Sequence, residues 1–218
     1  LEKILINHYK SITPNNLYNE RNGGGGGRER KPLSHQDITA IHEVACNVLK
    51  IKETNKLNDL FLKPIDFSVY VDTKHEDLQK KGALYVYHNT VKDKYYVGKA
   101  HKEVKKRISS ELSEANTGNS TSVWQKELKE NPENFKLHIV YQTPEGMEHI
   151  IEEIEHIYIR ALDSYNTGYN GTTSSQRLQS LKGKNEQEEK LLVDLRNVLH
   201  KINPKPKNRK QKNPKQKK

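Results

Sequence analysis

Apolar residues recur along the first part of the chain with two different periods. Between residues 38 and 49 they repeat at helical spacing, and Ser34 or Asp37 could cap that helix. Within residues 67–71 they alternate with polar residues, which is typical of a half-buried strand. The pattern therefore predicts a flanking region of one helix and one strand over residues 35–81.

The pattern becomes denser after residue 82. Two β-prone runs at residues 83–87 and 95–97 are separated by a turn-forming stretch, which indicates a β-hairpin. Apolar positions at helical spacing then mark two helices, and residues 135–141 alternate as a third strand. A long apolar stripe over residues 147–162 indicates a further helix. The order predicts an α/β fold, with a small three-stranded antiparallel or mixed sheet flanked by helices.

Composition changes the picture mainly at the ends of the chain. Residues 23–27 are consecutive glycines, which lose more backbone freedom on ordering than any other residue and so indicate a flexible linker. Residues 174–202 form a mostly polar helical segment that is interrupted near Gly183. Residues 203–218 combine many lysines with helix-breaking prolines, which predicts a basic disordered tail.

The basic charge is concentrated at the end of the chain. The chain has 38 basic and 28 acidic residues, a net charge of +10, and residues 201–218 hold nine of the basic residues and no acidic one. An unstructured polycation attracts nucleic acid without reading its sequence. A nuclear targeting signal or a solubilising terminus would have the same composition, so both remain alternatives.

Hydropathy and cysteine usage narrow the class of protein. Mean hydropathy is −1.00, and no apolar run approaches the ~20 residues that span a bilayer. No apolar stretch near residue 1 resembles a secretory signal, and the single Cys46 suits a reducing compartment. The sequence therefore predicts no membrane partner and an intracellular protein, in the nucleus of a eukaryotic host and otherwise in the cytoplasm.

The two hairpin strands carry a pair of tripeptides. Residues 83–85 read Ala-Leu-Tyr, and residues 96–98 read Tyr-Val-Gly with Lys94 two residues before them. Arg107 follows on the next predicted helix. This set resembles the GIY-YIG nuclease family, whose two name-giving motifs stand on such a hairpin.

The resemblance continues on the last long helix. Glu155 precedes Asn170 in a Glu…Gly-Tyr-Asn arrangement that is similar to the homing-endonuclease branch of the family. The resemblance covers residues 82–173 and implies a nuclease domain there, with Tyr85, Tyr96, Lys94, Arg107 and Glu155 as catalytic residues. It also implies that Glu155 binds the metal and that Asn170 contributes to nucleic-acid binding.

The chain departs from the family pattern at two positions. Ala83 replaces the first glycine, and Glu111 replaces a histidine that many members carry one helical turn after the arginine. A glutamate four residues after Arg107 could pair with it across one turn and lower its affinity for phosphate. A weak or inactive nucleic-acid-binding module that keeps the fold is therefore the alternative to a nuclease.

The helical positions of Glu155 and Arg107 point to function without the resemblance. Each lies about 90° from the centre of its apolar stripe, at the edge of the core, whereas Glu153 is predicted to point away. A half-shielded carboxylate needs a partner, and Mg²⁺, or Mn²⁺ in its place, is a suitable one. The planar fork of arginine suits a phosphate oxygen. The alternatives are a solvated glutamate and a surface pair of Arg107 with Glu103 or Glu111.

The tyrosines admit two interpretations. Tyr85 and Tyr96 alternate with apolar residues on neighbouring strands, which is typical of core aromatics. The resemblance implies instead that a tyrosine, or its hydroxyl network, takes a proton from the attacking water, and it leaves open which one. Lys94, if close to a tyrosine hydroxyl, would lower the pKa of that hydroxyl.

A basic strip surrounds the predicted arginine. It consists of cations interrupted only by one acid, so it could face a nucleic-acid backbone although the surrounding region has little net charge. Its members are Lys99, Lys102, Lys105, Lys106 and Arg107.

The first residues repeat part of the pattern. Residues 1–6 combine four apolar residues with Glu2 and Lys3, and a Tyr-Asn pair at 18–19 precedes the glycines, which resembles the end of a GIY-YIG domain. Residues 1–34 are therefore interpreted as the remnant of an upstream copy plus a glycine-rich linker. Chance similarity between two short amphipathic helices is the alternative.

These features together predict a metal-dependent endonuclease that hydrolyses DNA phosphodiester bonds. DNA is the expected partner, Mg²⁺ or Mn²⁺ the expected cofactor, and a mobile element an origin that suits the homing-endonuclease resemblance. The sequence leaves open the target site, single- or double-strand cutting, and the oligomeric state.

Overall fold

The computed structural model describes residues 30–54, 65–66, 76–117, 120, 122–171 and 176–202. Three predicted segments lie outside the described residues: the strand at 67–71, the basic tail, and the upstream copy with its linker. Of the last segment, the structure describes only residues 30–34. No helix in the described part of the chain is long and apolar enough to cross a bilayer.

The described residues form strands and helices close to the predicted ones. The strands are β1 (Ile65–Asp66), β2 (Ala83–Asn89), β3 (Lys94–Ala100) and β4 (Phe135–Gln142). The helices are α1 (His35–Thr54), α2 (Val104–Thr117), α3 (Val123–Glu130), α4 (Ile151–Ala161), α5 (Gln176–Ser180) and α6 (Glu186–Ile202).

The strands form one antiparallel sheet in the order β1-β4-β2-β3. The predicted hairpin pairs β2 with β3, and β4 pairs with the other side of β2. The prediction of a small antiparallel sheet flanked by helices is confirmed, and the two-residue β1 extends it by a fourth strand. This order leaves β3 at an outer edge of the sheet.

Alternation along β2 gives the sheet two differently covered faces. Tyr85 and Tyr87 point to a face that is packed against α2 and α3. Leu84 and Val86 point to the opposite face, which is packed against α4. Helices α1 and α6 pack on each other and on α4, so α4 lies between the sheet and a further helical layer.

This second layer explains why one sequence prediction is wrong. Glu153 was expected to point away from the core, but its side chain is fully buried and pairs with Arg177 of α5, with 3.1 Å between carboxylate and guanidinium. The expectation assumed that α4 has one buried face. The face opposite the sheet is covered by further helices, and a buried carboxylate there requires a cationic partner.

The start of α1 carries the expected cap. The Ser34 hydroxyl accepts a hydrogen bond from the Asp37 amide (3.2 Å), and the Asp37 carboxylate accepts one from the Ser34 amide (2.8 Å). This reciprocal arrangement satisfies two amides that would otherwise lack helical partners. His149, just before α4, approaches the same carboxylate at 2.9 Å and so connects α1 to α4.

Candidate active site

A cleft of about 540 Å³ opens at the outer edge of β3. Tyr96 and Lys99 of β3, Arg107 of α2 and Glu155 of α4 all line it. Helices α2 and α4 cover opposite faces of the sheet, and β3 is the outer one of the described strands, so side chains of both helices reach the cleft beside it. The fold therefore brings together four of the predicted site residues that come from three separate elements.

One wall of the cleft is built on a closed set of hydrogen bonds. The Tyr85 hydroxyl donates to Glu111 Oε1 over 2.6 Å, and Arg107 Nε donates to the Tyr85 oxygen over 3.3 Å. Arg107 Nη2 also lies 2.9 Å from Glu111 Oε1. The pairing of Arg107 with Glu111 suggested by their four-residue spacing is thus present, and Tyr85 completes it.

Burial shapes the electrostatics of this set. The Glu111 side chain is 1% exposed, and its burial raises the pKa of the carboxyl to about 7, against the opposing effects of Tyr85 and Arg107. Burial and the negative charge of Glu111 together raise the pKa of Tyr85 well above its usual range. Tyr85 therefore keeps its proton at neutral pH and acts as a hydrogen-bond donor.

Gly98 allows Tyr85 to reach this position. Residues Tyr85 and Gly98 are paired across β2 and β3, and the tyrosine ring lies over the glycine. A Cβ atom at position 98 would lie 2.6 Å from the Tyr85 hydroxyl oxygen and 2.5 Å from its ring, closer than real Cβ contacts come. The glycine of the Tyr-Val-Gly run is therefore required by packing, not by backbone conformation.

Tyr96 differs from Tyr85 in its access to the cleft. Tyr85 is fully buried, whereas Tyr96 is half-buried and lines the cleft directly. The Tyr96 ring stacks on Trp124 of α3, with 4.3 Å between ring centroids and 18° between planes. Burial raises the pKa of Tyr96 above its usual range, with contributions from Glu111 and Glu155, and Arg107 opposes this rise.

The structure places Lys94 away from the other predicted site residues. Its ammonium lies over the ring of Tyr169, 5.7 Å from the centroid, and Lys94 does not line the cleft. The pKa values of Tyr85 and Tyr96 are raised and not lowered. Lys94 is the first residue of β3, at the end of the strand that is farther from the cleft. At that end, Tyr169 from the loop after α4 is its partner.

Glu155 forms the opposite wall of the cleft. Lys99 Nζ lies 2.7 Å from Glu155 Oε2 and 4.0 Å from the carboxylate of Glu152. Burial raises the pKa of Glu155, and Lys99 opposes the rise. Lys99, expected to bind nucleic acid, is thus in direct contact with the expected metal ligand.

The donor set around Glu155 limits the kind of metal site. No cluster of three or more His, Cys, Asp or Glu side chains suited to a metal occurs within the described residues. Mg²⁺ commonly uses one or two carboxylates and completes its shell with water and substrate phosphate oxygens. Glu155, at the wall of an open cleft with several charged side chains, fits a Mg²⁺ site of this kind, and Lys99 balances its charge in the structure.

The rest of the basic strip lies partly at the cleft. Lys102 and Lys106 line it, and Lys106 also pairs with Glu103 at 3.1 Å. Lys105 does not line the cleft, since it lies on another side of α2. The strip is therefore narrower than the sequence indicated.

Asn170 was expected to contact nucleic acid, but the structure places it in a supporting position. Its Oδ1 accepts a hydrogen bond from the Val97 amide and its Nδ2 donates to the Val97 carbonyl, each over 2.9 Å. Ser164 donates to the same Oδ1 over 2.7 Å. The Asn170 amide thus uses its acceptor and a donor to brace the outer edge of β3 directly beside the cleft.

Two functional contributions were not anticipated from the sequence. The first is Trp124, which the sequence pattern marked only as an apolar position of a helix, and which stacks on the Tyr96 ring. The one feature that could have singled it out is that it is the single tryptophan of the chain. The Tyr85 ring over Gly98 depends on strand register, for which the sequence pattern had no marker other than the glycine itself.

Comparisons with known proteins give limited information. No protein-family model matches the chain, and the search of curated proteins gives no match. Among solved structures, the chain is similar to a point mutant of the catalytic domain of the intron endonuclease I-TevI, with 28% sequence identity and a TM-score of 0.36. The similarity covers 42% of this chain and 94% of that chain.

Proposed function

We propose that this chain is an endonuclease that hydrolyses DNA phosphodiester bonds in the cleft at the edge of β3. The observation that carries the proposal is the convergence of Tyr96, Arg107 and Glu155 from three elements on one cleft. The GIY-YIG resemblance of these residues supports a nuclease, and the basic side chains of Lys102 and Lys106 favour an anionic backbone as ligand.

Arg107 is the group that we expect to hold the scissile phosphate. Its side chain is 45% exposed, and its Nε and one Nη2 hydrogen are directed to Tyr85 and Glu111. A guanidinium has five N–H donors, and Tyr96 is a further side-chain partner of Arg107, so a phosphate would bind the donors that these contacts leave. Such a fixed fork can stabilise the charge that develops on the phosphoryl oxygens during hydrolysis.

Tyr96 is the tyrosine that we expect to touch the reacting groups. Its raised pKa means that it carries its proton at neutral pH and donates a hydrogen bond from the cleft wall. Stacking on Trp124 restricts the ring, so the hydroxyl can orient an attacking water or a phosphate oxygen. Tyr85 then acts behind Arg107, because its hydroxyl is enclosed.

Glu155 is the residue that would hold Mg²⁺ or Mn²⁺. A bound divalent ion supplies positive charge against the phosphate and makes a nucleophilic water more acidic. Lys99 has to leave Glu155, wholly or in part, to admit the ion, and its ammonium is then free to contact the DNA backbone. An origin in a mobile element remains a proposal that rests on the resemblance.

Plasmid cleavage tests this function. The protein should nick or linearise supercoiled plasmid with Mg²⁺ and not with EDTA, and Glu155→Gln should lower the rate by at least ~100-fold, because it removes the anionic ligand. Glu130→Gln, on the exposed end of α3, is the matched control and should cut like the parent. A Glu155→Gln variant that cuts at the parent rate would remove Glu155 from the mechanism.

The alternative function is a DNA-binding module without cleavage. The pairing of Arg107 with Glu111 favours it, because a neutralised arginine binds phosphate more weakly. The same assay distinguishes the two functions. Binding to duplex DNA without Mg²⁺-dependent cutting would support the module, whereas cutting that Arg107→Lys fails to retain would support the nuclease.

A further inference from the structure

The orientation of Arg107 is set by one buried carboxylate oxygen. Glu111 Oε1 accepts from both Arg107 Nη2 and the Tyr85 hydroxyl, and the tyrosine oxygen accepts from Arg107 Nε. One edge of the guanidinium is thereby fixed on the cleft wall. The Arg107 side chain also lines the cleft, where it is 45% exposed and has Tyr96 as a further partner.

The same oxygen also offsets the charge of the arginine. Glu111 is nearly inaccessible to solvent and lies 2.9 Å from the guanidinium, so solvent screens this pair less than an exposed one. Glu111 does not line the cleft, so its negative charge acts there by offsetting the positive charge that Arg107 presents to a phosphate. Orientation and charge therefore act in opposite directions on phosphate affinity.

Only one of these two effects depends on the charge of Glu111. A protonated carboxyl group keeps a carbonyl oxygen, and so does a glutamine amide, and either can accept the bonds from Arg107 and Tyr85. Loss of the negative charge thus leaves the arginine oriented while its full positive charge becomes available. An alanine at position 111 would instead remove both effects.

Polar or charged groups face Glu111 from β2, β3, α2 and α3. Strand β2 contributes Tyr85 and Tyr87, and β3 contributes Tyr96. On α2 itself, Arg107 lowers the pKa of Glu111 and Glu114 raises it. Helix α3 contributes the neutral Gln125, whose amide donates to the Glu111 backbone carbonyl. Arg107 is the one cation in this described set.

We propose that Glu111 is a positioning residue that sets the phosphate affinity of the cleft through Arg107. In its charged form it orients the guanidinium and weakens phosphate binding, and in its neutral form it orients the guanidinium without that penalty. The proposal rests on the proposed function in one respect, namely that the bound phosphate belongs to DNA. It predicts tighter DNA binding at lower pH, over the range in which Glu111 gains a proton.

The test is DNA binding without cleavage, measured by fluorescence anisotropy on one duplex in EDTA at constant ionic strength. Between pH 6 and pH 8.5 the parent should lose about fivefold to tenfold in affinity, because ionised Glu111 increasingly offsets the charge of Arg107 as the pH rises. Glu111→Gln should bind with the parent's low-pH affinity throughout this range. A Glu111→Gln variant that keeps the parent's pH dependence would overturn the proposal.

Two controls separate this effect from other titrating groups. His101 also lines the cleft and gains charge at low pH, so His101→Gln should retain the pH dependence if Glu111 is its source. In an Arg107→Ala background, Glu111→Gln should no longer strengthen binding. An equal strengthening without Arg107 would mean that Glu111 acts on DNA directly, which contradicts the proposal.

The role of Glu111 can be tested even if Glu111→Gln does not fold, and separately from the nuclease function. If Glu111→Gln does not fold, the pH profile of Arg107→Ala alone decides, because the proposal requires the profile to flatten and an unchanged profile contradicts it. A parent that binds with the expected pH profile but never cuts plasmid would refute the nuclease and leave the role of Glu111 intact. A parent that cuts plasmid and whose Glu111→Gln variant keeps the full pH dependence of binding would support the nuclease and refute the role of Glu111.

Discussion

Tyr85 and Tyr96 resemble each other in sequence and differ in what they can reach. The strand pattern correctly placed both on one face of the hairpin, because side chains alternate along strands. It could not indicate that α2 and Gly98 enclose the Tyr85 hydroxyl while Tyr96 lies at the cleft. That difference depends on strand register and helix packing, which involve residues far apart in the chain.

The close approach of Tyr85 to Gly98 gives a prediction at the residue scale. Gly98→Ala places a methyl group 2.6 Å from the Tyr85 hydroxyl oxygen, so the ring must shift and its bonds to Glu111 and Arg107 must break. We expect a loss of about 1–3 kcal/mol in the free energy of unfolding, measured by urea denaturation. Plasmid cleavage should fall as well.

Gly171 provides the matched control for this substitution. A Cβ atom there would have no neighbour within 4 Å, and its backbone does not lie in the left-handed region. Gly171→Ala should therefore change neither unfolding nor cleavage. Equal stability of Gly98→Ala and the parent would show that the ring of Tyr85 is not held as closely as described.

At the scale of elements, the sequence predicted type and order better than contacts. The hairpin, the third strand and the helices follow from local periodicity, and their bounds differ from the prediction by a few residues. The contacts between the outer strand β3 and the loop after α4 could not be predicted from local periodicity. Lys94 and Asn170 were assigned from motif resemblance, and the structure shows both in contacts between β3 and the loop after α4, which the motifs did not indicate.

The brace from Asn170 to β3 gives a prediction at this scale. Asn170→Ala removes both hydrogen bonds to Val97, each worth about 1 kcal/mol. Hydrogen exchange of the Val97 amide should accelerate by about tenfold or more, measured by NMR under native conditions. Cleavage should decline without being abolished, because Tyr96 and Lys99 lie on the loosened strand.

Asn166→Ala serves as the comparison for Asn170→Ala. Asn166 is exposed in the same loop and bonds locally to Asp163, without contact to β3. Its substitution should leave exchange at Val97 unchanged. If both variants exchange like the parent, the Asn170 side chain does not support the strand in solution.

At the scale of the whole molecule, charge and fold are separate problems. Residues 201–218 carry nine of the 38 basic side chains, and the other 200 residues are close to neutral, with 29 basic and 28 acidic side chains. The α/β fold, with α4 between the sheet and a further helical layer, is formed by that nearly neutral part. The sequence could predict the class from periodicity, but not the buried Glu153, because α1 and α6 are distant in the chain from α4.

Deletion of residues 203–218 tests how much the charged end contributes to binding. Counterion release predicts weaker binding to every duplex and a shallower dependence of log affinity on log salt. Turnover at saturating DNA should stay almost unchanged, since the residues proposed to act on the phosphate all lie between positions 85 and 155 of the chain. Salt titrations of the full and shortened chains on two unrelated duplexes provide the measurement.

The competing interpretations of this end give different results. A nuclear targeting signal or a solubilising terminus predicts identical salt slopes for the two chains, and identical slopes would therefore exclude a DNA-binding arm. An effect on one duplex only would mean that the tail reads sequence. Its composition gives no reason to expect that.

The cover on β3 has a consequence for how copies of the protein behave in a crowded solution. An outer strand offers amides and carbonyls with which any extended chain could pair, and exposed strands of this kind promote aggregation. The loop after α4 occupies this edge: Tyr169 donates its amide to the Tyr95 carbonyl, and the side chain of Asn170 occupies both groups of Val97. The same loop that steadies the cleft therefore keeps the Tyr95–Val97 part of β3 from becoming a template for self-association.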